Sequence, residues 1–283
     1  MKKRRSMINN GCQRNSNGFN ICHQVVTEDQ IDGYFRNMKM SIRILFLVFT
    51  VFLTAKSYSQ RRVIFPSKDG LTMYADLYEI DRSHPYIVLL HMARSSRGEY
   101  REIAKRLNKL ELNCMAVDLR SGRERNFVPN ETNALATKLG LNTRFLDSEP
   151  DIMTAIDNAY AIGGKPIILF GSSYTASLAL KYAKENSKVK AVVAFSPGEY
   201  FGKDLNVEEA VAGLSKPTFI ASAANEKEVT EAIASGVSRS KLISYIPPKG
   251  GKHGSESLNP DCDENHVYWI QMINFLQNVK KEY

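Results

Sequence analysis

Cysteine is scarce in this chain, and the architectures that depend on it are excluded. The four that occur, Cys12, Cys22, Cys114 and Cys262, are scattered over 283 residues. No C-x-x-C pair exists, so the spacing encodes neither a disulfide framework nor a zinc or dithiol centre. Long apolar runs are also missing: the run at residues 44–53 covers ten positions, about half of the roughly 20 a bilayer span requires. Excess charge is missing from most of the chain too. The formal net charge is +8, but residues 1–60 hold 9 Lys/Arg against 3 Asp/Glu, which leaves 29 against 27 for the rest. The body is nearly neutral, and it has no basic amphipathic helix and no interleaving of aromatic with basic residues, so nucleic acid is not an expected partner. With 43% hydrophobic and 24% charged residues, intrinsic disorder and collagen-like structure are excluded as well.

What is present begins with an address. Lys39 and Arg43 flank the start of the apolar run, and small and polar residues from Thr54 to Gln60 follow it. That order is the order of a secretory signal peptide, with cleavage expected near Ser59 and Gln60 and export to the periplasm or beyond the cell. An uncleaved signal anchor tethering the protein to the membrane is the alternative. Residues 1–37 are polar and aperiodic, which marks them either as a leader or as lying upstream of a true start at Met38 or Met40. The expected organisation is therefore 1–37 leader, 38–60 signal peptide and 61–283 a single domain. Removal of the signal takes Cys12 and Cys22 with it. Cys114, inside an apolar strand-like run, is expected to be a buried free thiol.

The domain opens with two β-rich runs, 62–65 and 71–78, around Asp69-Gly70, which is a hairpin signal. Strand-length apolar runs recur at 86–90, 114–117, 166–170, 189–195, 218–221 and 241–246. They are apolar on both faces, as strands covered on both sides must be. Between them lie helical periods: Ile103, Ala104, Leu107 and Leu110 share one face, and so do Ile152, Ala155, Ile156, Ala159 and Tyr160. Ser148 and Asp151 are spaced as a capping box for the second of these helices. A last helix carries Trp269, Ile273 and Leu276 on one stripe. The alternation predicts a doubly wound, mainly parallel α/β domain without a linker. Residues 120–147 are long for a connection, so they form either a functional loop or a stretch containing a short helix that the pattern does not place.

Chemistry concentrates in residues 166–180. An apolar strand there runs into Gly171-Ser172-Ser173-Tyr174-Thr175-Ala176 and then into a helix, the context of a nucleophile elbow with Ser173 as nucleophile. Without that context Ser173 reads as an ordinary helix N-cap. Gly236-Val237-Ser238-Arg239-Ser240 fits the same relaxed pattern, but it follows a helix and precedes a strand, which is the wrong order. A serine hydroxyl needs a base, and His253 lies in the flexible loop after the last strand, whereas His266 reads as a surface or capping residue. The base needs a carboxylate: Glu226, where the strand at 218–221 exits into the next helix, is the first candidate, Glu228 the second and Asp204 a distant third. Acyl chemistry also needs backbone N–H groups for an oxyanion. Tyr174 would supply one, and Ala93 or Met92, in the loop after Leu90-His91, the other.

In this order the landmarks resemble the α/β-hydrolase fold, and within it the dienelactone-hydrolase-like bacterial serine esterases. They are the Asp69-Gly70 hairpin, Leu89-Leu90-His91, Val117-Asp118-Leu119-Arg120, the Ser173 elbow, the strand from Pro217 to Glu226, and His253-Gly254. The resemblance implies a mainly parallel sheet with an antiparallel N-terminal hairpin and helices on both faces. It also implies a Ser173–His253–Glu226 triad and an acyl-enzyme, with no cofactor, no metal and a small-molecule ester or related acyl compound as substrate. It assigns His91 a structural place beside the oxyanion loop and Asp118 a loop-holding one. Two positions depart from the pattern, Met92 after His91 and Thr175 for glycine. Dienelactone hydrolases proper use a cysteine nucleophile, so their substrate is not carried over. A non-catalytic binding protein of the same fold, with the departures as relics, and an acyltransferase with the same triad are the alternatives.

Three further features have plainer readings. Asp261, Asp263 and Asn265 alternate like a calcium loop, but His266 takes the glycine position and helix capping explains them. Asn130-Glu131-Thr132 fits a glycosylation sequon on a surface loop. Arg94, Arg97, Arg120, Arg123 and Arg125 fall on loops that the fold would bring toward the site, where they would favour anionic substrates.

Overall fold

The computed structural model describes residues 12–14, 20–22, 29, 32–40 and 59–283. The chain divides into two compact units, Met1–Lys56 and Ser57–Tyr283. In the first, β1 (Cys12–Arg14) pairs antiparallel with β2 (Asn20–Cys22), and residues 32–40 are helical (α1). The two strands fall within the expected leader, whose sequence shows no period, and the helix crosses from it into the first residues of the expected signal segment. The apolar run of the expected signal, 44–53, lies outside the described residues. No helix among the described residues is long and apolar enough to cross a membrane.

The second unit is built on an eight-stranded sheet. Its strands are β3 (Ser59–Pro66), β4 (Thr72–Glu79), β5 (Tyr86–Leu90), β6 (Asn113–Val117), β7 (Ile167–Ser172), β8 (Val189–Phe195), β9 (Thr218–Ala221) and β10 (Leu242–Tyr245). The spatial order is β10-β9-β8-β7-β5-β6-β4-β3. The β3–β4 hairpin turns at Asp69-Gly70, β4 also runs antiparallel to β6, and every other pairing is parallel. Apolar residues alternate between two cores: Val88, Leu90, Ile167 and Leu169 face one, and Ile87, Leu89, Ile168 and Phe170 the other. That is why the central strands read as unbroken apolar runs. Helices α4 (Glu149–Gly163), α5 (Tyr174–Glu185), α6 (Val207–Val211) and α7 (Lys227–Ser235) cover the first face, while α2 (Arg101–Asn108) and α8 (Asn265–Lys280) cover the second. On α8 the buried stripe is Tyr268, Trp269, Met272, Phe275 and Leu276. Burying a large apolar side chain contributes about 1.5–3 kcal/mol, so this stripe anchors the terminal helix. Cys114 is a fully buried free thiol, and burial pushes its pKa well up.

One open alternative is decided and two local expectations are corrected. The connection at 120–147 contains a helix, α3 (Glu131–Lys138), which Asn130 caps by accepting from the Asn133 N–H. Only Thr132 and Ala136 of it are buried, too few to leave a helical period in the sequence. Asn130 itself is buried and donates to the Ser95 and Leu119 carbonyls, so the sequon lies inside the fold and not on a surface loop. Ser148 makes no cap bond to α4; its hydroxyl bonds Ser121, and Asp151 binds Arg120 instead. Long-range polar partners outcompete the local capping box.

Strands β5 and β7 are neighbours, yet the chain leaves β5 toward β6 on one side and continues from β7 to β8 on the other. At such a switch point the loops beyond the strand ends diverge and leave a crevice. The candidate residues converge there.

Candidate active site

Strand β7 passes into α5 through one residue. Ser173 has φ 62° and ψ −128°, outside the regions an L-residue ordinarily adopts. The turn is held from both sides: the Ser173 N–H donates to the Phe195 carbonyl at 2.8 Å, and its carbonyl accepts from the Ala176 N–H at 2.8 Å. A Cβ on Gly171 would lie 2.3 Å from the Thr175 carbonyl oxygen, so only glycine lets strand and helix cross this closely. Thr175, where the family pattern has glycine, does not loosen the turn. Its hydroxyl accepts from the Ser172 N–H at 2.8 Å and lies 2.8 Å from the carbonyls of Leu90 and Ser172, stitching elbow to β5.

His253 sits on the loop after β10. Gly254 beside it has φ 62°, and a Cβ there would come within 2.5 Å of the Ser172 hydroxyl, so the loop closes onto the elbow through a glycine. The imidazole Nδ1–H donates to Glu226 Oε1. Its Nε2 therefore accepts from the Ser173 hydroxyl at 2.8 Å. Glu226 ends the turn Ala224–Glu226 after β9, and its Oε2 accepts from the Ser196 hydroxyl at 2.5 Å and the Ala223 N–H at 3.0 Å. Glu228 is exposed and Asp204 lies on another loop, so of the three acids the structure brings only Glu226 to the imidazole.

The electrostatics follow from these contacts. The hydrogen bond and charge of Glu226 raise the His253 pKa above its usual value against the opposing effect of burial, with smaller contributions from Glu256 and Glu99. Burial pushes Glu226 up, but bonds from His253, Ser196 and the Ala223 N–H outweigh it and hold the carboxyl below its usual value. Tyr200, missed by sequence reasoning, packs edge-on to His253 with ring centroids 6.5 Å apart. Its hydroxyl donates to the Ser196 carbonyl at 2.8 Å, and burial pushes the phenol up to about 12 against the opposing effect of the Ser173 hydroxyl. Ser196 was missed too: at φ 54° it bonds Glu226, accepts from the Gly254 N–H at 2.8 Å and so ties the acid to the histidine loop. A serine just past strand β8, before Pro197-Gly198, was its only signal.

The expected oxyanion donors divide. Tyr174 is the first residue of α5, where an N–H has no intrahelical acceptor. Met92 is corrected: its N–H donates to Glu99 Oε2 at 3.0 Å and is not open to a substrate. Ala93, half-buried in the same loop, is the remaining candidate. His91 is wholly buried; Nε2 accepts from the Leu119 N–H at 3.0 Å, so Nδ1–H donates to the Met92 carbonyl at 2.8 Å. Asp118 ties loops together, accepting from the N–H groups of Arg97 and Glu131.

The arginine expectation is corrected in part. Arg97 is buried between Asp76, Asp118 and Glu131, and Arg120 between Asp69 and Asp151. Arg125 pairs with Glu256. Their charges are spent within the fold, and only Arg94 and Arg123 of the five are exposed without such a partner. Beside Tyr200 a cavity of about 180 Å³ is lined by Phe145, Leu146 and Phe201, with Arg144 and Asp204 also contributing. The described residues contain no group of three or more His, Cys, Asp or Glu placed to hold a metal.

No family model matches the sequence, and no curated protein matches it either. Solved structures do match. A dienelactone hydrolase from Anabaena variabilis superposes with a TM-score of 0.61 at 16% identity, covering 78% of this chain and 98% of that one. An esterase of Pyrococcus furiosus gives 0.55 at 16%, covering 80% and 92%. The α/β hydrolase GrgF from a Penicillium species gives 0.59 at 12%, covering 79% and 99%. The second unit thus has the α/β-hydrolase fold, with its mainly parallel sheet and antiparallel N-terminal pair.

Proposed function

We propose that the protein is a serine hydrolase that cleaves carboxylic esters, or related acyl bonds, through a Ser173–His253–Glu226 triad and an acyl-enzyme. The observation that carries the reading is the bond from the Ser173 hydroxyl to His253 Nε2 at 2.8 Å, on a ring whose Nδ1–H is committed to Glu226. With that tautomer the imidazole takes the serine proton as Oγ attacks the carbonyl, and Glu226 stabilises the imidazolium that forms. The N–H groups of Tyr174 and Ala93 stabilise the tetrahedral oxyanion, a task worth about 10²–10³ in rate per donor. His253 then passes the proton to the leaving alcohol, and water activated by the same ring releases the acyl group. The cavity beside Tyr200 receives the acyl chain. The His253 side chain is 42% exposed, so water reaches the base directly, which favours hydrolysis over transfer to another acceptor. Export belongs to the same proposal and rests on Lys39, Arg43 and the apolar run after them; the N-terminal residue of protein recovered outside the cytoplasm checks it.

The test is labelling with a fluorophosphonate. Wild type is expected to label, Ser173→Ala not to, and 4-nitrophenyl esters to turn over only with the former. A folded wild type that neither labels nor turns over esters would establish the binding-protein alternative.

A further inference from the structure

A buried carboxyl group outside the Ser173–His253–Glu226 line joins the loop that carries His253 to the loop after β5. Glu99 lies in a 3-10 turn, Arg97–Tyr100, whose start is capped by Ser96, and it is 8% exposed. Its Oε2 accepts the Met92 N–H at 3.0 Å, and its Oε1 accepts the Ser255 hydroxyl at 2.6 Å. Ser255 is two residues beyond His253, and its own N–H donates to the Ser172 hydroxyl at 2.9 Å. One carboxyl thus bridges the loop after β5 to the loop after β10, and the serine it holds is bonded to the residue before the nucleophile.

The placement is chemically expensive. A carboxyl beside a centre where an oxyanion develops opposes the reaction, and removing Met92 as a donor leaves Ala93 alone on that loop. Such a group is useful if the geometry it fixes outweighs its charge. We propose that Glu99 is a positioning residue: by holding Met92 and Ser255 at fixed separation it sets the distance between the oxyanion loop and His253. The proposal rests on the hydrolase reading above. Neither Glu99 oxygen bonds Ser173, His253 or Glu226, so beyond the small contribution of its charge to His253 it acts through the loops. A misplacement of about 1 Å at a reacting centre costs on the order of 10²-fold in rate.

Glu99→Ala cuts the bridge, and Ser255→Ala removes one of its two bonds. Glu99→Gln can keep both, with amide oxygen toward the Met92 N–H and amide nitrogen toward the Ser255 hydroxyl, which accepts as well as donates. With active sites counted by fluorophosphonate titration, Glu99→Ala is expected to lose roughly 10²-fold in kcat at nearly unchanged KM. Glu99→Gln should recover most of that loss, and Ser255→Ala in the Glu99→Ala background should add little, since the tie is already gone. A fall in thermal stability with kcat per titrated site unchanged would make Glu99 merely structural and overturn the proposal. If Glu99→Ala does not fold, Ser255→Ala decides alone: kcat down about tenfold supports the bridge, and unchanged kcat overturns it. A wild type that does not label at all overturns the hydrolase reading and this proposal together, whereas a labelled wild type with a fully active Glu99→Ala overturns this one only.

Discussion

Replacing Glu226 by glutamine changes one atom, and its surroundings decide where that atom goes. Oε2 receives the Ala223 N–H at 3.0 Å and the Ser196 hydroxyl at 2.5 Å, while Oε1 faces His253 Nδ1. The Ala223 N–H can only donate, so the amide oxygen of the variant is held at the Oε2 position and its NH₂ turns to the imidazole. Nδ1 must then accept, which puts the ring proton on Nε2, pointing at Ser173. In that tautomer the ring cannot take the serine proton. The corresponding exchange in a serine-protease triad lowers kcat by about 10⁴, or about 5 kcal/mol of barrier. Flipping the amide restores the tautomer but sets NH₂ against the Ala223 N–H, leaving a buried donor unpaired at about 1–3 kcal/mol. Partial escape by that route sets the expected loss at about 10³–10⁴ in kcat. Steady-state hydrolysis of a 4-nitrophenyl ester measures it, and the nitrogen chemical shifts of His253 report where the proton sits. Glu226→Gln retaining more than about a tenth of the wild-type kcat would refute the reasoning. Glu228→Gln, on an exposed side chain, is the control and should be within about twofold.

The acid limb of kcat/KM should have its midpoint above the usual histidine value of about 6.5, because Glu226 raises His253 and only the neutral ring accepts a proton. Glu226→Ala should move that midpoint down, since burial remains while the partner is lost; a wild-type limb at or below the usual value contradicts the geometry. The pair also contributes to stability with opposite signs. His253's share, from a raised pKa, disappears as pH rises through its folded value, and Glu226's, from a lowered one, disappears as pH falls through its own. Thr175→Val strips the hydroxyl that pairs the buried Ser172 N–H, and urea unfolding should show a loss of about 1–3 kcal/mol. An unchanged midpoint would mean the stitch contributes nothing. Arg97→Met leaves Asp76 and Asp118 buried without their cation, and the same assay should show about 3–5 kcal/mol; a change below about 0.5 kcal/mol argues that the carboxylates find other partners.

Sequence legibility tracks how local the cause is. The hairpin at Asp69-Gly70 and the two-faced strands follow from neighbouring residues, and both appear as read. The strand-to-helix turn at Ser173 is local as well. His253 and Glu226 were reachable because chain order and the resemblance limited where a base and an acid could fall. What stayed hidden depends on partners far along the chain. Arg97 and Arg120 look like solvated loop charges until Asp118 and Asp151 meet them inside the fold. Asn130 looks like a surface sequon until its amide is seen bonded to Ser95 and Leu119. Met92 loses its N–H to a carboxyl seven residues later, and no pattern in the intervening residues announces that Glu99 turns inward.

The same contrast explains why Ser173, His253 and Glu226 come from different parts of the sheet. A residue in the Ser173 conformation costs about 1–3 kcal/mol and persists only where its surroundings over-determine it. Strand β7 supplies such surroundings, because it has parallel neighbours on both sides. The Phe195 carbonyl at the end of β8 holds the Ser173 N–H, and the Leu90 carbonyl at the end of β5 lies against Thr175. Glu226 and His253 need no strained backbone, and they arrive on loops from β9 and from β10, one of the two edge strands, respectively. One backbone bond, from the Ala224 N–H to the Gly250 carbonyl, joins those loops to each other, and side chains tie them to the rest of the site. On the acid's side the tie is Ser196; on the elbow's side the Ser172 hydroxyl accepts the Ser255 N–H and the Ser255 hydroxyl donates to Glu99. Removing such a side chain should therefore disturb the alignment of His253 with Ser173 before it disturbs the sheet. Changes at Ser196 and Ser255 belong among those that lower turnover while leaving the unfolding midpoint largely in place.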